Sequence, residues 1–199
     1  MKTISVYSFA ELSKDAKKKA VDNYRMIYGF SGNELGRYMD DKFADKLGTL
    51  TNEFGYNYSL SHSQGDGVCF YGKILGDDLY ILANLIYGYN TPDNIVKAIK
   101  DEIINEVTFN KITINYCHKR TVEITVGYPV DYAAEFSDDD FNAIVDFQKA
   151  ITSWYGKTCD DLEGYGYAVI DILQEDKHIA DVLSYNDAEC YLIDGTKVL

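Results

Sequence analysis

The sequence predicts an α+β fold, with an antiparallel sheet built from two β-hairpins plus an N-terminal strand and covered by several helices. Three observations predict it. The stretches Tyr56–Ile74 and Phe109–Tyr128 alternate apolar and polar residues at the period of a strand, each folding back on itself about a polar turn. The segments around them place apolar residues at helical spacing. The order is hairpin and helices rather than single strands alternating with single helices, which argues against a parallel sheet.

At 199 residues with two prolines and no Gly/Ser/Pro-rich run, the chain reads as one α+β domain over residues 1–199, with residues 131–199 as a candidate acidic helical subdomain. Thr3 to Tyr7 is a short β-prone run and is expected to be the N-terminal strand. Ser13 is positioned as an N-cap for a helix that carries Ala16, Ala20, Val21, Tyr24 and Ile27 on one side. A second helix is expected over 33–54, with Leu35, Met39, Phe43, Leu47, Leu50 and Phe54 on one side and Gly55 as its stop.

In the first hairpin a three-residue loop Gly65-Asp66-Gly67 would pair Gln64 with Val68, His62 with Phe70, Leu60 with Gly72 and Tyr58 with Ile74, keeping apolar side chains together. Gly76-Asp77-Asp78 opens a third helix through Leu79, Leu82, Ala83 and Ile86. Thr91 caps a fourth with Pro92 in its first position, running through Ile95, Val96, Ile99, Ile103 and Ile104. In the second hairpin Ile112, Ile114, Tyr116 and His118 share a face, and a loop Lys119-Arg120-Thr121 pairs His118 with Val122, Tyr116 with Ile124 and Ile114 with Val126. Ser137 with Asp138, Asp139 and Asp140 starts a helix that ends before Gly156. Thr158 caps another that Gly164 and Gly166 interrupt. Ser184 to Glu189 reads as a helical turn, and Tyr191 to Val198 as two short arms about Asp194-Gly195.

Charge is the most informative compositional feature. The net charge of −13 is concentrated at the end: residues 131–199 hold sixteen acidic and four basic side chains, while residues 1–70 hold nine of each. Such a field disfavours nucleic acid or an anionic membrane as a direct ligand and favours a basic protein surface. Six of the sixteen acids, Asp138, Asp139, Asp140, Asp160, Asp161 and Glu163, fall at expected helix starts, where the dipole explains them. The other ten need another account, and a string of exposed carboxylates can stand in for phosphates against a nucleic-acid-binding groove, with Asp139, Asp146, Asp171 and Glu175 as the candidate contacts.

No cofactor is expected, because the catalytic supply is thin. Cys69, Cys117, Cys159 and Cys190 lie far apart with no Cys-x-x-Cys pair, and are expected to be reduced and partly in the core. The Gln64-Gly65-Asp66-Gly67 loop lacks a following helix start, so no phosphate-binding pattern applies. His62 and His118, near the loop ends of the two hairpins with Asp66 beside them, are the single acid-base or metal constellation on offer; structural histidines explain them more simply. The aromatic hairpin offers a different contact set, Tyr56, Tyr58, Tyr71 and Asp66.

The segments V-Y-S-F-A-E-L-S-K-D-A-K-K-K-A (Val6 to Ala20), S-L-S-H-S-Q-G-D-G-V-C-F (Ser59 to Phe70) and L-I-D-G-T-K (Leu192 to Lys197) resemble a family of small accessory proteins of bacteriophages and prophages, loosely labelled antitoxin-like. The resemblance brings no activity, cofactor or catalytic residue, and implies action in the cytoplasm of a bacterial host. Together with the charge pattern it sets the expectation of a non-enzymatic protein that blocks a host defence factor of the CRISPR or restriction kind by acidic mimicry. The alternative is an antitoxin-like or regulatory module binding a protein through the aromatic hairpin.

Overall fold

The alternating stretches do form the sheet, in a computed structural model that describes residues 4–30, 32–186 and 189–198. Strands β1 (Phe54–Ser59), β2 (Gly67–Leu75), β3 (Glu106–Lys111) and β4 (Val122–Gly127) make a four-stranded antiparallel meander in sequence order. The fold is α+β. Helices α1 (Lys14–Tyr28), α2 (Gly32–Leu47), α3 (Asp78–Tyr87), α4 (Asp93–Lys100), α5 (Asp138–Leu173) and α6 (Asp176–Tyr185) accompany it. The chain divides into two compact units, one of residues 1–39 with 166–199 and one of residues 40–165.

In the unit of residues 40–165, register puts the apolar side chains of all four strands on one face. Tyr56 pairs with Phe70, Ile74 with Val107, Phe109 with Ile124 and Val107 with Val126. Phe70 is the hub: its ring centroid lies 5.8 Å from Phe43, 5.1 Å from Phe54, 5.9 Å from Phe109 and 4.5 Å from Tyr155. Tyr155, on α5, also places its hydroxyl against the strand backbone, donating to the Phe70 carbonyl at 3.1 Å and accepting the Phe70 N–H at 3.3 Å. Burial holds the Tyr155 phenol well above its ordinary range, so it stays a protonated donor at every working pH.

Both hairpin registers differ from expectation. In the first, Tyr58 pairs with Val68 instead of Ile74, and the connection is the seven residues 60–66. The Asp66 carboxylate organises it, accepting from the Ser61 N–H (2.6 Å), the Ser63 N–H (2.8 Å) and the Ser59 hydroxyl (2.8 Å). Satisfying this buried carboxylate takes Ser61 and Ser63 out of the ladder, which ends at Ser59. In the second, Lys111 pairs with Val122, and the ten residues 112–121 form the connection. Val107 and Phe109 occupy the core, so Ile114 stands 94% exposed and the apolar run 112–118 is loop.

Helix ends account for further corrections. α2 stops at Leu47 because Gly48 takes φ +56, and a 3-10 turn over Gly48–Glu53 then leads Phe54 into β1, while Leu50 and Phe54 stay buried as expected. α4 begins after Pro92 without a side-chain cap; the Thr91 hydroxyl turns back to Asn84 and the Gly88 carbonyl. It ends at Lys100, and Ile103 and Ile104 are buried outside the helix. α5 is one helix of 36 residues, uninterrupted at Gly156, Gly164 or Gly166. Each glycine costs about 1 kcal/mol relative to alanine, whereas each large buried side chain, such as Phe147, Ile151, Tyr155 and Leu162, contributes about 1.5–3 kcal/mol. Burial wins.

In the unit of residues 1–39 and 166–199, Ser13 caps α1 as expected, accepting from the Ala16 N–H at 3.2 Å. Ala16, Ala20 and Val21 pack with Phe9, Leu12, Ile179, Leu183 and Tyr191. Thr3 lies outside the described residues, and Ile4 to Val6 form no strand: Ile4 is 68% exposed, and Tyr7 makes an isolated bridge to Tyr191 instead of joining the sheet. That partner belongs to the C-terminal arms, which turn about Gly195 (φ +85) as expected and bridge Tyr191 to Lys197. A Cβ on Gly195 would sit 2.1 Å from the Ala16 carbonyl oxygen, so the turn requires glycine on two counts. Ser184 and Tyr185 lie in α6; the expected turn through Asp187 and Ala188 lies outside the described residues.

Two measurements check this description. Tyr155→Phe leaves both Phe70 backbone groups without their partner and is expected to cost about 1–3 kcal/mol in urea unfolding; an unchanged stability would remove the bond's importance. In the terminal unit the Lys19 ammonium and the Thr196 N–H hold Asp194 down to about 2, and Glu189 is lowered by Lys197 and Tyr191 in spite of its burial. Depressed carboxylate pKa values stabilise the fold above the unfolded values near 4 and lose that contribution as pH falls through the folded ones. Amide-exchange protection of Tyr7 and Tyr191 is therefore expected to hold from pH 7 to 5 and to fail between about pH 4 and 2.

Candidate functional site

Six acids of the last third, Asp146, Asp160, Asp161, Asp176, Glu189 and Asp194, are paired with lysine or arginine among the described residues. Lys46 pairs with Asp161 (2.6 Å) and Lys119 with Asp160, both within the unit of residues 40–165. Lys19 pairs with Asp194 (2.6 Å) and Arg25 with Asp176 in the other. Asp160, Asp161 and Glu163 are thus mid-helix residues rather than the helix start that the glycines suggested. Each exposed pair contributes at most about 1 kcal/mol to stability, but each cancels a charge that a partner would otherwise meet.

A second group of carboxylates converges on one place in the unit of residues 40–165. The chain leaves α4 through Asp101 and Glu102, and the 3-10 segment Val130–Glu135 and the first turn of α5 bring Glu135 and Asp140 to the same place. Together with Ile103, Asn105, Pro129 and Phe136 they line a shallow depression of about 400 Å³. Asp140 is tied locally by the Ser137 N–H (2.9 Å) and hydroxyl (2.8 Å), which lower its pKa, with a smaller contribution from Lys97. Asp101, Glu102, Glu135, Asp138 and Asp139 form no ion pair among the described residues. Beside them Tyr128, Phe136 and Phe141 make an edge-to-face trio with centroids 5.8–6.5 Å apart, and Phe141 is 41% exposed. Carboxylates around a partly exposed aromatic cluster match the anchors and rim of a protein interface.

Of the acids singled out in the sequence, Asp139 lies exposed in the first turn of α5 beside this depression, and Asp146, also exposed, faces Lys149 at 3.4 Å. Asp171 and Glu175 are exposed in the other unit. The sequence reading missed Asp101, Glu102, Glu135 and the aromatic trio. Helical spacing continues through Asp101 and Glu102 to Ile103 and Ile104, and it is the end of α4 at Lys100 that frees the two carboxylates from the helix.

The hairpin residues are engaged within the fold. The Tyr56 hydroxyl donates to Asp40 and its ring stacks on Phe43 at 4.3 Å, with Tyr58 6.1 Å away. Tyr71 donates to Asn57 at 3.1 Å, beneath Lys111. The two hairpin loops do meet, since a Cβ on Gly67 would lie 3.0 Å from the Cys117 carbonyl oxygen and 3.2 Å from His118. His62 is exposed at φ +57, Asp66 faces its serines, and the His118 Nδ1 accepts the Arg120 N–H at 3.0 Å. Among the described residues no group of three His, Cys, Asp or Glu side chains is placed to hold a metal ion. All four cysteines are free thiols; burial pushes Cys159 up to about 12, which makes it unreactive. No described helix is long and apolar enough to cross a membrane.

No family model, curated protein or solved structure matches the chain.

Glu102 adds a backbone feature to the site, since it is one of two described non-glycine residues with positive φ (+57). Glu102→Gly is expected to stabilise the protein by about 1 kcal/mol in urea unfolding while removing one carboxylate of the depression; destabilisation would mean that the side chain holds the turn.

Proposed function

We propose that the protein is a non-enzymatic binding protein whose acidic and aromatic surface at the start of α5 covers a basic, nucleic-acid-binding surface of a partner protein. The observation that carries this reading is the convergence of Asp101, Glu102, Glu135 and Asp140 on one depression beside the Tyr128, Phe136 and Phe141 trio, while Asp160, Asp161, Asp176 and Asp194 are matched by lysine or arginine. Uncompensated carboxylates steer a basic surface and set register; the aromatic rings supply the apolar anchor that charge alone lacks. The phage-like opening and hairpin motifs make a bacterial defence factor, such as a CRISPR effector or restriction enzyme, the class of partner.

Affinity capture of the tagged protein from a bacterial lysate, washed at low and high salt, tests it. One nucleic-acid-binding protein is expected to elute with salt, and to be lost from the triple variant Asp101→Asn, Glu135→Gln, Asp139→Asn. A salt-resistant partner that the triple variant retains would contradict the reading.

A further inference from the structure

β4 is the last strand of the sheet, and its outer edge is only half covered. Gln148 on α5 takes part of it: the side-chain carbonyl accepts the Val126 N–H at 2.8 Å, and the side-chain amide donates to the Ile124 carbonyl at 2.7 Å. The Thr152 hydroxyl donates to the Gln148 main-chain carbonyl at 2.7 Å, in the next turn of the helix. This one side chain does for β4 what a neighbouring strand would do. Because backbone groups of alternate residues face the same edge, those of Val122 and the Ile124 N–H turn the same way. Gln148 is the one side chain among the described residues that bonds this edge.

Two turns along α5 from Gln148 the cover ends. A cavity of about 350 Å³ opens between helix and strand, with Val122 and Ile124 on one wall, Tyr155 and Gly156 on the other, and Lys119 and Arg120 at one end. A Cβ on Gly156 would meet no atom within 4 Å, so the helix surface here is open space. Lys119 is paired with Asp160, but Arg120 is exposed and makes no ion pair among the described residues.

We propose that this groove binds an extended acidic segment of a partner protein as an added strand. Its main chain pairs with the Val122–Ile124 edge, and a carboxylate side chain meets Arg120. The open edge is short, so recognition combines a few main-chain bonds with a two-pronged arginine–carboxylate contact, and the apolar walls accept β-branched side chains between acids. Charge complementarity selects the occupant: Arg120 rejects basic segments, and the fork geometry of its guanidinium favours a carboxylate.

The test titrates ¹⁵N-labelled full-length protein with the blocked peptide acetyl-Glu-Val-Thr-Val-Glu-amide. Saturable shifts are expected at the amides of Arg120, Val122, Ile124 and Gly156, with slowed hydrogen exchange of the Ile124 N–H. The Gln-for-Glu peptide and the Arg120→Ala variant are each expected to bind about fivefold weaker. Gly156→Leu fills the groove where no atom stands in its way and is expected to weaken binding about tenfold with the circular dichroism spectrum unchanged. Absence of shifts at these amides at millimolar peptide, equal binding of the neutral peptide, or full binding by a folded Gly156→Leu would each overturn the proposal.

Discussion

The structure of the sheet-bearing unit depends on one contact, Tyr155 against Phe70. The phenol of α5 supplies hydrogen bonds to both backbone groups of a central-strand residue, and its ring lies 4.5 Å from the side chain of the same residue. Polar satisfaction and aromatic packing thus fix the same geometry. Phe43, Phe54 and Phe109 pack around Phe70, so the hairpins and the start of β1 take their positions from it. With α5 held there, Gln148, two turns earlier, reaches the β4 edge. The N-terminal end of α5 brings its carboxylates beside the turn after α4.

The second governing constraint is electrostatic. A chain whose acids are concentrated in its last third looks polarised, yet folding brings Lys19, Arg25, Lys46 and Lys119 from the balanced part of the chain to Asp194, Asp176, Asp161 and Asp160. Segregation along the sequence is thus partly undone in space. Of the four carboxylates that line the depression, Asp101 and Glu102 come from outside the acidic third. Against a partner such a set governs the approach and its salt sensitivity, while Phe136 and Phe141 supply buried apolar area.

Periodicity made the fold class legible: the alternation around Phe70 and Val126 and the helical spacing through Leu35, Met39 and Phe43 all correspond to real elements with the expected side buried. Registers were not legible, because hydrophobic matching alone cannot weigh a carboxylate. Asp66 gathers Ser59, Ser61 and Ser63 and lengthens the loop, and Val107-Thr108-Phe109 displaces the equally alternating Ile112 to Tyr116 from the core. Glycine misled in both directions. Gly48, unremarked, ends α2 through positive φ, while Gly156, Gly164 and Gly166, read as breaks, lie inside α5, where burial outweighs their cost. The candidate site was legible only in Asp139, since its other members come together through helix ends that periodicity places poorly.

We propose two faces for this unit, the surface at the start of α5 for a basic partner surface and the edge of β4 for an acidic strand, and the proposed function rests on the first. Amide hydrogen–deuterium exchange by mass spectrometry, comparing the free protein with the complex captured from lysate, tests it most directly. Slowed exchange over residues 99–105 and 128–146, with the hairpin 56–71 unchanged, is the result this account requires. Protection confined to 56–71 would contradict it and move the interface to the aromatic hairpin.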